Sequence, residues 1–440
     1  MSDQSLSIAK PSESHPMQKL GATLAALAIL CSFIAAFGPG KSQPALFFWS
    51  IVGLITASGI IYSIPYFKDK SDIKNNGIMH NPATNRGAIA WGIGILMTGF
   101  YIILYWYPHY LEGLIRTMDS LSLNLRGRIA DQWFLYGVFY TLAVLIMGFR
   151  FIGKYRHSRY QILRTISVMF FQLGFAFLIP AFLLKLNQPE FYFSYFWPLK
   201  YSYLFPDDIN YLISSGNIGL FMIFWGAIMI FIATPILTYN YGKRWYCSWV
   251  CGCGALAETL GDPYRQNSDK TLKAWKIERW MIHSVLVFIT ITTILLWLNS
   301  WKSGTVLGTF SGLFSQWYGF LIGSVFSGVI GTGFYPIMGS RVWCRFGCPM
   351  AAILGLFQRF KSKFRITTNG GQCISCGNCS TYCEMGIDVR AYAQKGENII
   401  RSSCVGCGVC SSVCPRGVLK LENLQEKDRF VPYTRSEDKI

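Results

Sequence analysis

Two stretches near the C-terminus, CISCGNCSTYC at 373–383 and CVGCGVCSSVCP at 404–415, determine what this part of the chain can fold around. Each stretch carries four cysteines separated by two, two and three residues. Three thiolates at this spacing can bind three corners of one iron–sulfur cubane, so the fourth ligand must come from elsewhere in the chain. The spacing therefore predicts a pair of [4Fe-4S] clusters.

In bacterial two-cluster ferredoxins, the last cysteine of each run binds the cluster of the other run. The same crossing here predicts two ligand sets, which are Cys373, Cys376, Cys379 and Cys414 for cluster 1 and Cys404, Cys407, Cys410 and Cys383 for cluster 2. Zinc ribbons use two C-x2-C pairs per site, and disulfides are rare in a reducing compartment, so neither alternative is favoured. One departure is Glu384, which follows the first run where Pro415 follows the second.

The composition of the whole chain indicates a membrane protein. Of 440 residues, 52% are hydrophobic and only 14% are charged, yet the net charge is +18. Such a chain has too much apolar surface to be disordered, and a soluble nucleic-acid binder would place its basic residues on a polar surface. We therefore expect membrane lipid, and no nucleic acid, among its partners.

Eight apolar stretches are long enough to span a bilayer, which requires about 20 residues. They are 19–37, 45–66, 88–107, 133–152, 163–184, 217–238, 281–298 and 318–338. The short stretch 305–317 is expected to be an interfacial or re-entrant piece. The aromatic loop 189–206 is expected to be an interfacial anchor, with a wall of a quinone site or a partner surface as the second interpretation.

Lys and Arg orient these spans, because basic residues concentrate in cytoplasmic loops. With the N-terminus inside, the loops predicted to be cytoplasmic are the more basic, and the basic C-terminal tail also lies inside. We therefore expect a multi-pass protein of the bacterial inner membrane, with both termini cytoplasmic and the first span retained. Ionisable residues are nearly absent from the spans, so proton pumping by this chain is not expected.

These signals predict an all-α polytopic membrane domain of about eight helices, followed by a small α+β bacterial-type 2[4Fe-4S] ferredoxin domain. The predicted segments are a cytoplasmic tail 1–18, a transmembrane domain 19–338, a juxtamembrane segment 339–366, the ferredoxin domain 367–425 and a polar tail 426–440. About 60 residues are too few for stability on an apolar core alone, so the clusters should act as the core of the ferredoxin domain.

A second cysteine pattern flanks the membrane spans. Cys247-Ser-Trp-Val-Cys251 follows the sixth span, and Cys344-Arg-Phe-Gly-Cys348-Pro349 follows the eighth. In both copies an arginine stands three residues before the first cysteine and an aromatic residue directly precedes it, so the motif is an internal repeat. If each C-x3-C begins a helix, its two sulfurs lie on one face, one turn apart.

Four facing thiolates would be enough for a third iron–sulfur cluster or another metallocofactor, and this is the favoured interpretation. Zinc or copper binding, a redox-active dithiol, and buried cysteines without a ligand remain alternatives. Cys253 is an alternative ligand to Cys251, because Gly-Cys-Gly stands where the second copy has a proline. Cys31, in the first span, is expected to be a core residue.

The two C-x3-C motifs followed by two C-x2-C-x2-C-x3-C runs resemble the NapH/NosR-type membrane-bound polyferredoxins. The resemblance covers about 240–416, and it implies electron transfer between the quinone pool and a redox partner, such as another respiratory subunit. A relative that serves in copper-centre assembly implies the alternative of a maturation or redox-sensing factor. Some members carry a flavin domain before their spans, and no such domain is expected here.

Three functions remain open from the sequence. The leading one is an electron-transfer subunit, for which a quinol-linked oxidoreductase activity is undecided. The second is the assembly or regulatory factor, and the third is a transporter or anchor whose ferredoxin tail docks a partner. Only His283 of the five histidines lies in a predicted span, so a haem b with two axial histidines is not expected. Electrons would then cross the membrane by a quinone or by a carrier of the partner.

Overall fold

The computed structural model describes residues 15–68, 81–302, 304–308, 310–369 and 372–423. Within these residues, eight helices are long and apolar enough to cross a membrane, which confirms the predicted all-α polytopic domain. In chain order the spans are Pro16–Ala36, Pro44–Lys68, Ala88–Trp106, Gln132–Lys154, Arg159–Lys185, Asn217–Tyr241, Leu272–Trp301 and Phe310–Gly333. The predicted polar tail 426–440 and most of the predicted tail 1–18 lie outside the described residues.

The seventh span begins earlier than predicted because a side chain caps it at Thr271. The Thr271 side chain accepts a hydrogen bond from the backbone N–H of Ala274 at 3.2 Å, which satisfies one of the free donors of the first turn. The first turns beyond this cap carry Lys273, Lys276 and Arg279, so they are too polar for an apolar window to detect. The helix therefore extends beyond the apolar stretch that the sequence reveals.

The eighth span corrects the interpretation of 305–317. Its helix begins at Phe310, so residues 310–317 are the first turns of the span and not a separate interfacial or re-entrant piece. Residues 304–308 form turns. The helix then continues as a π-helical stretch, Gly319–Ile330, so the glycine-rich sequence stays helical.

The C-terminal region carries a small antiparallel sheet, in accord with the predicted α+β ferredoxin domain. Strand β1, Phe364–Thr368, pairs with β2, Leu419–Asn423, with Ile366 opposite Leu421. Three short helices lie between the strands, namely Asn378–Thr381, Val389–Lys395 and Val409–Ser412. The predicted boundary after residue 366 falls inside β1. We use the name ferredoxin region for 364–423.

Short helices connect the spans to this region and carry the membrane-flanking cysteines. They are Arg244–Cys247, Gly252–Thr259, Tyr335–Met338, Val342–Phe346 and Pro349–Phe360, with a 3-10 turn at Asp262–Asn267. Both C-x3-C motifs therefore lie on the face of the helical bundle that carries the ferredoxin region.

One buried apolar cluster joins the bundle to the ferredoxin region. It contains Met222 of the sixth span, Tyr246 beside the first C-x3-C motif, and Ile366 of β1. Phe196 and Tyr203 of the aromatic loop belong to the same cluster, at 2% and 3% exposure. This part of the loop therefore packs inward, which corrects the expectation of a purely interfacial anchor.

Candidate iron–sulfur sites

The ferredoxin region contains a cavity of about 360 Å³ that is lined by one predicted ligand set. Its four cysteines are Cys373, Cys376, Cys379 and Cys414. Three come from the first run and the fourth from the end of the second, so the chain crosses between its two halves here. We call this the outer cavity.

A second cavity, of about 370 Å³, is lined by the other predicted set. Its cysteines are Cys383, Cys404, Cys407 and Cys410, so the last cysteine of the first run joins three from the second. We call this the inner cavity. The fold thus brings together all eight cysteines in the two crossed sets that the spacing predicts.

Glycines allow a left-handed backbone conformation beside both cavities. Gly377 and Gly408 have φ values of 81° and 72°, and each caps the short helix that carries the third cysteine of its run. This left-handed backbone is strained for residues with a Cβ atom. The two halves therefore repeat one turn, which lets the backbone lie close to whatever the thiols bind.

Burial raises the pKa of the inner thiols, to about 11 for Cys404 and about 12 for Cys407. It also raises the pKa of Cys379 in the outer cavity to about 12. Such thiols are protonated at neutral pH without metal, and iron binding must displace their protons. Four thiols around one cavity are the donor set of a [4Fe-4S] cluster, so both cavities fit that cofactor.

The inner cavity is covered by the helical bundle. The Tyr160 hydroxyl donates to the carbonyl of Gly406 at 3.0 Å, and the Gln161 side-chain amide donates to the carbonyl of Cys407 at 2.9 Å. From the loop after the sixth span, the Ser248 hydroxyl donates to the carbonyl of Val405 at 2.9 Å. The backbone that holds three of the four inner cysteines is therefore fixed by membrane-domain side chains.

The outer cavity faces solvent instead. Ile374, beside Cys373, is 43% exposed, and Arg390 and Arg416 on the cavity lining are also exposed. Neither arginine forms an ion pair with any residue within the described ranges. The rim therefore presents an exposed apolar side chain and two positive charges that form no ion pair among the described residues.

The C-x3-C motifs differ from the expected single helical turn. Cys247 ends the helix Arg244–Cys247, and Cys251 precedes the next helix as its N-terminal cap residue. Cys344 lies within Val342–Phe346, and the Cys348 thiol accepts from the backbone N–H of Ala351 at 3.4 Å. In each pair the first cysteine lies in one short helix and the second cysteine caps the N-terminus of the next helix. A turn separates the two cysteines, so they are not on consecutive turns of one helix.

The two motifs nevertheless meet. The Cys344 thiol interacts electrostatically with Cys247 and Cys251, and so does the Cys348 thiol. Burial raises the pKa of Cys247 to about 12. Among the described residues, no three His, Cys, Asp or Glu side chains converge closely enough to hold a single metal ion. A cubane, by contrast, offers a separate iron to each of four thiolates.

Cys253 lies beside this group. Its thiol is hydrogen-bonded to that of Cys251, and this bond lowers the pKa of Cys251. Cys253 is exposed, whereas Cys247, Cys344 and Cys348 are buried. Gly254 allows the helix Gly252–Thr259 to lie against the first cysteine of the motif, since a Cβ atom there would lie 2.1 Å from the carbonyl oxygen of Cys247. Cys253 therefore remains an alternative ligand to Cys251.

The first motif reaches into the bundle. The Tyr140 hydroxyl of the fourth span donates to the carbonyl of Gly252 at 2.8 Å. From the aromatic loop, the carbonyl of Ser194 accepts from the Tyr246 hydroxyl at 2.5 Å, and Phe196 packs edge-on against Tyr246. Side chains of a span and of the loop between spans five and six therefore surround the residues next to the cysteines.

A buried ion network lies between the two C-x3-C motifs and the inner cavity, and the sequence did not reveal it. It comprises five cations, Arg150, Lys154, Arg164, Arg265 and Arg341, and three anions, Glu258, Asp262 and Glu384. The structure places Arg150, Lys154 and Arg164 within the fourth and fifth spans, which corrects the expectation that the spans are nearly free of ionisable residues. Their acidic partners are far away along the sequence, so no local sequence pattern indicates these ion pairs.

Asp262 and Glu384 are the centres of this network. Asp262 lies 2.7 Å from Lys154 and 2.9 Å from Arg265, and Glu384 lies 2.8 Å from Arg265. Burial alone would raise the pKa of both carboxyls, but the neighbouring cations hold it below the usual range. Both acids therefore stay charged at neutral pH, and the network keeps an excess of positive charge beside the thiols.

Comparisons with known families agree with this arrangement. Residues 365–415 match the family described as "4Fe-4S dicluster domain". Residues 222–271 and 318–367 each match the family described as "4Fe-4S binding domain", so one family description fits both copies of the C-x3-C repeat. Together these matches support an iron–sulfur protein of the membrane polyferredoxin type.

One relative among curated proteins is the "Putative electron transport protein YccM" of Escherichia coli (strain K12). It is 22% identical over 170 residues, which are 37% of this chain and 47% of the relative. The chain thus spans about half the length of this relative. No solved structure matches the chain. These similarities support a membrane iron–sulfur protein.

Proposed function

We propose that this chain moves electrons between the quinone pool and a redox partner through cytoplasmic [4Fe-4S] clusters, as a NapH/NosR-type polyferredoxin does. The observation that carries the proposal is the pair of crossed four-cysteine cavities, one against the membrane bundle and one open to solvent. The positive-inside rule supports a cytoplasmic location for this face and for both termini, in a bacterial inner membrane.

The ligands of the proposed clusters are those that line the cavities. Cys373, Cys376, Cys379 and Cys414 would hold cluster 1, and Cys404, Cys407, Cys410 and Cys383 would hold cluster 2. Such clusters supply one-electron transfer. The chain itself supplies burial of the inner site, glycine backbone beside both sites, and positive charge near the inner thiols.

The four C-x3-C cysteines, Cys247, Cys251, Cys344 and Cys348, are the proposed ligands of a third cluster, with Cys253 as the alternative to Cys251. Their mutual approach and the repeated family match support this assignment. The test is an iron and acid-labile sulfide assay of the anaerobically purified protein. We expect about twelve irons per chain, and about eight would limit the protein to the two ferredoxin clusters.

Quinone is the proposed membrane-side reactant, because it is lipid-soluble and the eight spans of the described residues contain one histidine, His283, where a haem b needs two. The contact between Tyr140 of the fourth span and Gly252, beside Cys251, supports access from the bundle to the C-x3-C cysteines. The aromatic loop around Tyr246 is a candidate wall for the quinone ring.

The rim of the outer cavity is the proposed docking surface for a soluble redox protein with an acidic face. The inner cavity is closed by the bundle, so a soluble partner can approach only the outer one. Arg390 and Arg416 would attract acidic side chains, and the exposed Ile374 of the same cavity lining would provide apolar contact. Charged rims of this kind raise association rates more than affinity.

A second candidate function, an assembly or redox-sensing factor for a metal-containing enzyme, is favoured by the thiol of Cys253. This thiol is exposed and exceeds the four that a third cluster requires. An extra thiol beside a four-thiol site could pass on a metal ion. Deletion of the gene followed by metal analysis of the cell's copper enzymes distinguishes the two functions, since only an assembly factor would leave them short of copper.

Quinol oxidation tests the leading function directly. The purified protein in lipid nanodiscs is mixed anaerobically with a water-soluble quinol analogue, and cluster absorbance is followed by stopped flow. We expect bleaching of the iron–sulfur absorbance, or, if the potentials run the other way, reoxidation of dithionite-reduced protein by the corresponding quinone. Absence of both reactions in an iron-replete preparation would contradict quinone as the reactant.

A further inference from the structure

The two copies of the C-x3-C repeat place their matched arginines in different surroundings. Arg244 and Arg341 both stand three residues before the first cysteine of their motif. Arg244 turns toward the ferredoxin sheet, where it donates to the side-chain oxygen of Asn423 at 3.0 Å and covers the ring of Phe364. Arg341 is 1% exposed and lies within the buried ion network. The repeat has therefore kept the residue but given the second copy another role.

The two cysteine runs differ at one matched position, and the acid found there meets Arg341. Glu384 follows Cys383, the last cysteine of the first run, whereas Pro415 follows the second run. Glu384 is 1% exposed and lies 3.1 Å from the guanidinium of Arg341. The acid that breaks the symmetry of the two cysteine runs is therefore paired with the arginine whose surroundings differ between the two C-x3-C copies.

The contacts of Arg341 extend to the C-x3-C cysteines. One guanidinium nitrogen lies 3.6 Å from the Cys344 thiol and donates to the carbonyl of Cys247 at 3.2 Å. The other terminal nitrogen lies 2.5 Å from Glu258 and 3.1 Å from Glu384. A single planar cation thus contacts a proposed ligand of the third site and, through Glu384, the residue bonded to an inner-cavity ligand.

This arrangement is costly for stability alone. Removing two charges from water is unfavourable, and a buried ion pair is weak support for a fold by itself. Buried charges next to a redox site have an electrostatic use, because a fixed charge acts strongly where water is excluded. A cation favours the state with one more electron, and an anion disfavours it.

We propose that Arg341 and Glu384 form an electrostatic bridge that couples the reduction potentials of the C-x3-C site and the inner cavity. Arg341 is a positioning residue that holds Cys344 and raises the potential of both sites, and Glu384 lowers the potential of the inner site. An electron on either site competes for the same guanidinium, so reduction of one makes reduction of the other harder. The inference rests on the proposed function, since it needs clusters at both sites.

The test compares R341Q and E384Q with wild-type protein in an anaerobic potentiometric titration with dithionite, monitored by EPR. We expect R341Q to weaken reduction of the inner cluster at least tenfold, which is a downward shift of about 59 mV for a one-electron couple. E384Q is expected to shift it in the opposite direction. The matched control R244Q, at the equivalent position of the first copy, should leave the potential within threefold of wild type.

Opposite signs separate electrostatic coupling from structural damage, which would shift both variants in one direction or release iron from both. Shifts of the same sign, or an R244Q shift equal to that of R341Q, would overturn the bridge. Should R341Q lose iron, R341K keeps the charge, and the proposal then requires R341K to stay near wild type while E384Q moves upward. A wild-type protein without EPR-active clusters would overturn the proposed function itself, together with the bridge.

Discussion

The inner and outer cavities have the same ligand spacing and nearly the same volume, about 370 and 360 Å³, but opposite surroundings. Side chains of the fifth span and of the loop after the sixth cover the inner cavity, whereas the outer one opens beside Ile374. Cysteine spacing determines which cofactor each cavity fits. The residues around it determine what can exchange electrons with that cofactor.

The charges around the two cavities differ in the same way. Glu384, Arg265 and Arg164 of the buried network all act on the Cys407 thiol of the inner cavity. Arg390 and Arg416 stand at the surface of the outer cavity. Salt screens buried charges little, whereas it largely screens the interactions of exposed charges beyond about 8 Å at physiological ionic strength. The inner site is therefore tuned by the fold, and the outer site can be tuned by solution conditions and partners.

The largest expected effect comes from removing one ligand of each cavity. C407S and C376S should each lose about four irons. Only C407S should also loosen the interface with the bundle, because the carbonyl of Cys407 is held by Gln161. Iron assay combined with hydrogen exchange of 401–413 measures both effects. Equal exchange at 401–413 in the two variants would remove the distinction between inner and outer sites.

Charge reversal at the rim tests the outer cavity alone. R390E/R416E should slow electron delivery from an acidic [2Fe–2S] ferredoxin, used as a probe, by about tenfold at low ionic strength, since steering depends on the local field. R359E/K361E reverses two exposed charges at the end of the helix Pro349–Phe360 and serves as the matched control. Equal rates for the two double variants would argue against docking at this rim.

Lys270 gives the inner cavity a pH dependence that the outer one lacks. Burial lowers the pKa of Lys270 to about 8, and its ammonium interacts with the Cys383 thiol. The ammonium favours the reduced cluster, so its loss as pH rises from 7 to 9 should lower the inner midpoint potential, by at most about 59 mV per pH unit. In K270R the charge persists and the slope should vanish. A slope that survives in K270R would assign it to another group.

The smallest effect is expected from a single hydrogen bond over the inner cavity. Y160F removes the donor to the carbonyl of Gly406 and should lower the free energy of local opening by about 0.5–1.5 kcal/mol. Q394A removes a hydrogen bond to Ser375 beside the outer cavity, at an exposed position, and should change little. Hydrogen exchange of 401–413 in both variants provides the comparison, and protection unchanged in Y160F would show that this contact contributes nothing.

The sequence could predict the parts that repeat or that depend on apolar length. Eight apolar stretches predicted eight spans, and the spacing of the cysteine runs predicted the two sets that line the cavities. Helix bounds failed where caps and polar first turns extend a helix, as at Thr271, and where a short apolar stretch continues into the next span, as from Phe310.

The sequence could not predict contacts between residues far apart in the chain. In the sequence, Glu384 stands out only because the second run has a proline at the matching position, and Arg341 only because its motif is repeated. Their contact depends on how the bundle and the ferredoxin region pack. The buried partners of Lys154 and the inward packing of Phe196 have the same origin. Residue type identifies a candidate in such cases, but tertiary structure determines its partner.

The crossed ligand sets are the central claim, and the iron content and EPR spectrum of C383S test it most directly. Cys383 belongs to the first run but lines the inner cavity with three cysteines of the second. We predict that C383S loses the same cluster signal and the same amount of iron as C404S, and keeps the signal that C373S loses. A C383S spectrum that matches C373S instead would show that each run binds its own cluster, and would contradict the arrangement of inner and outer sites.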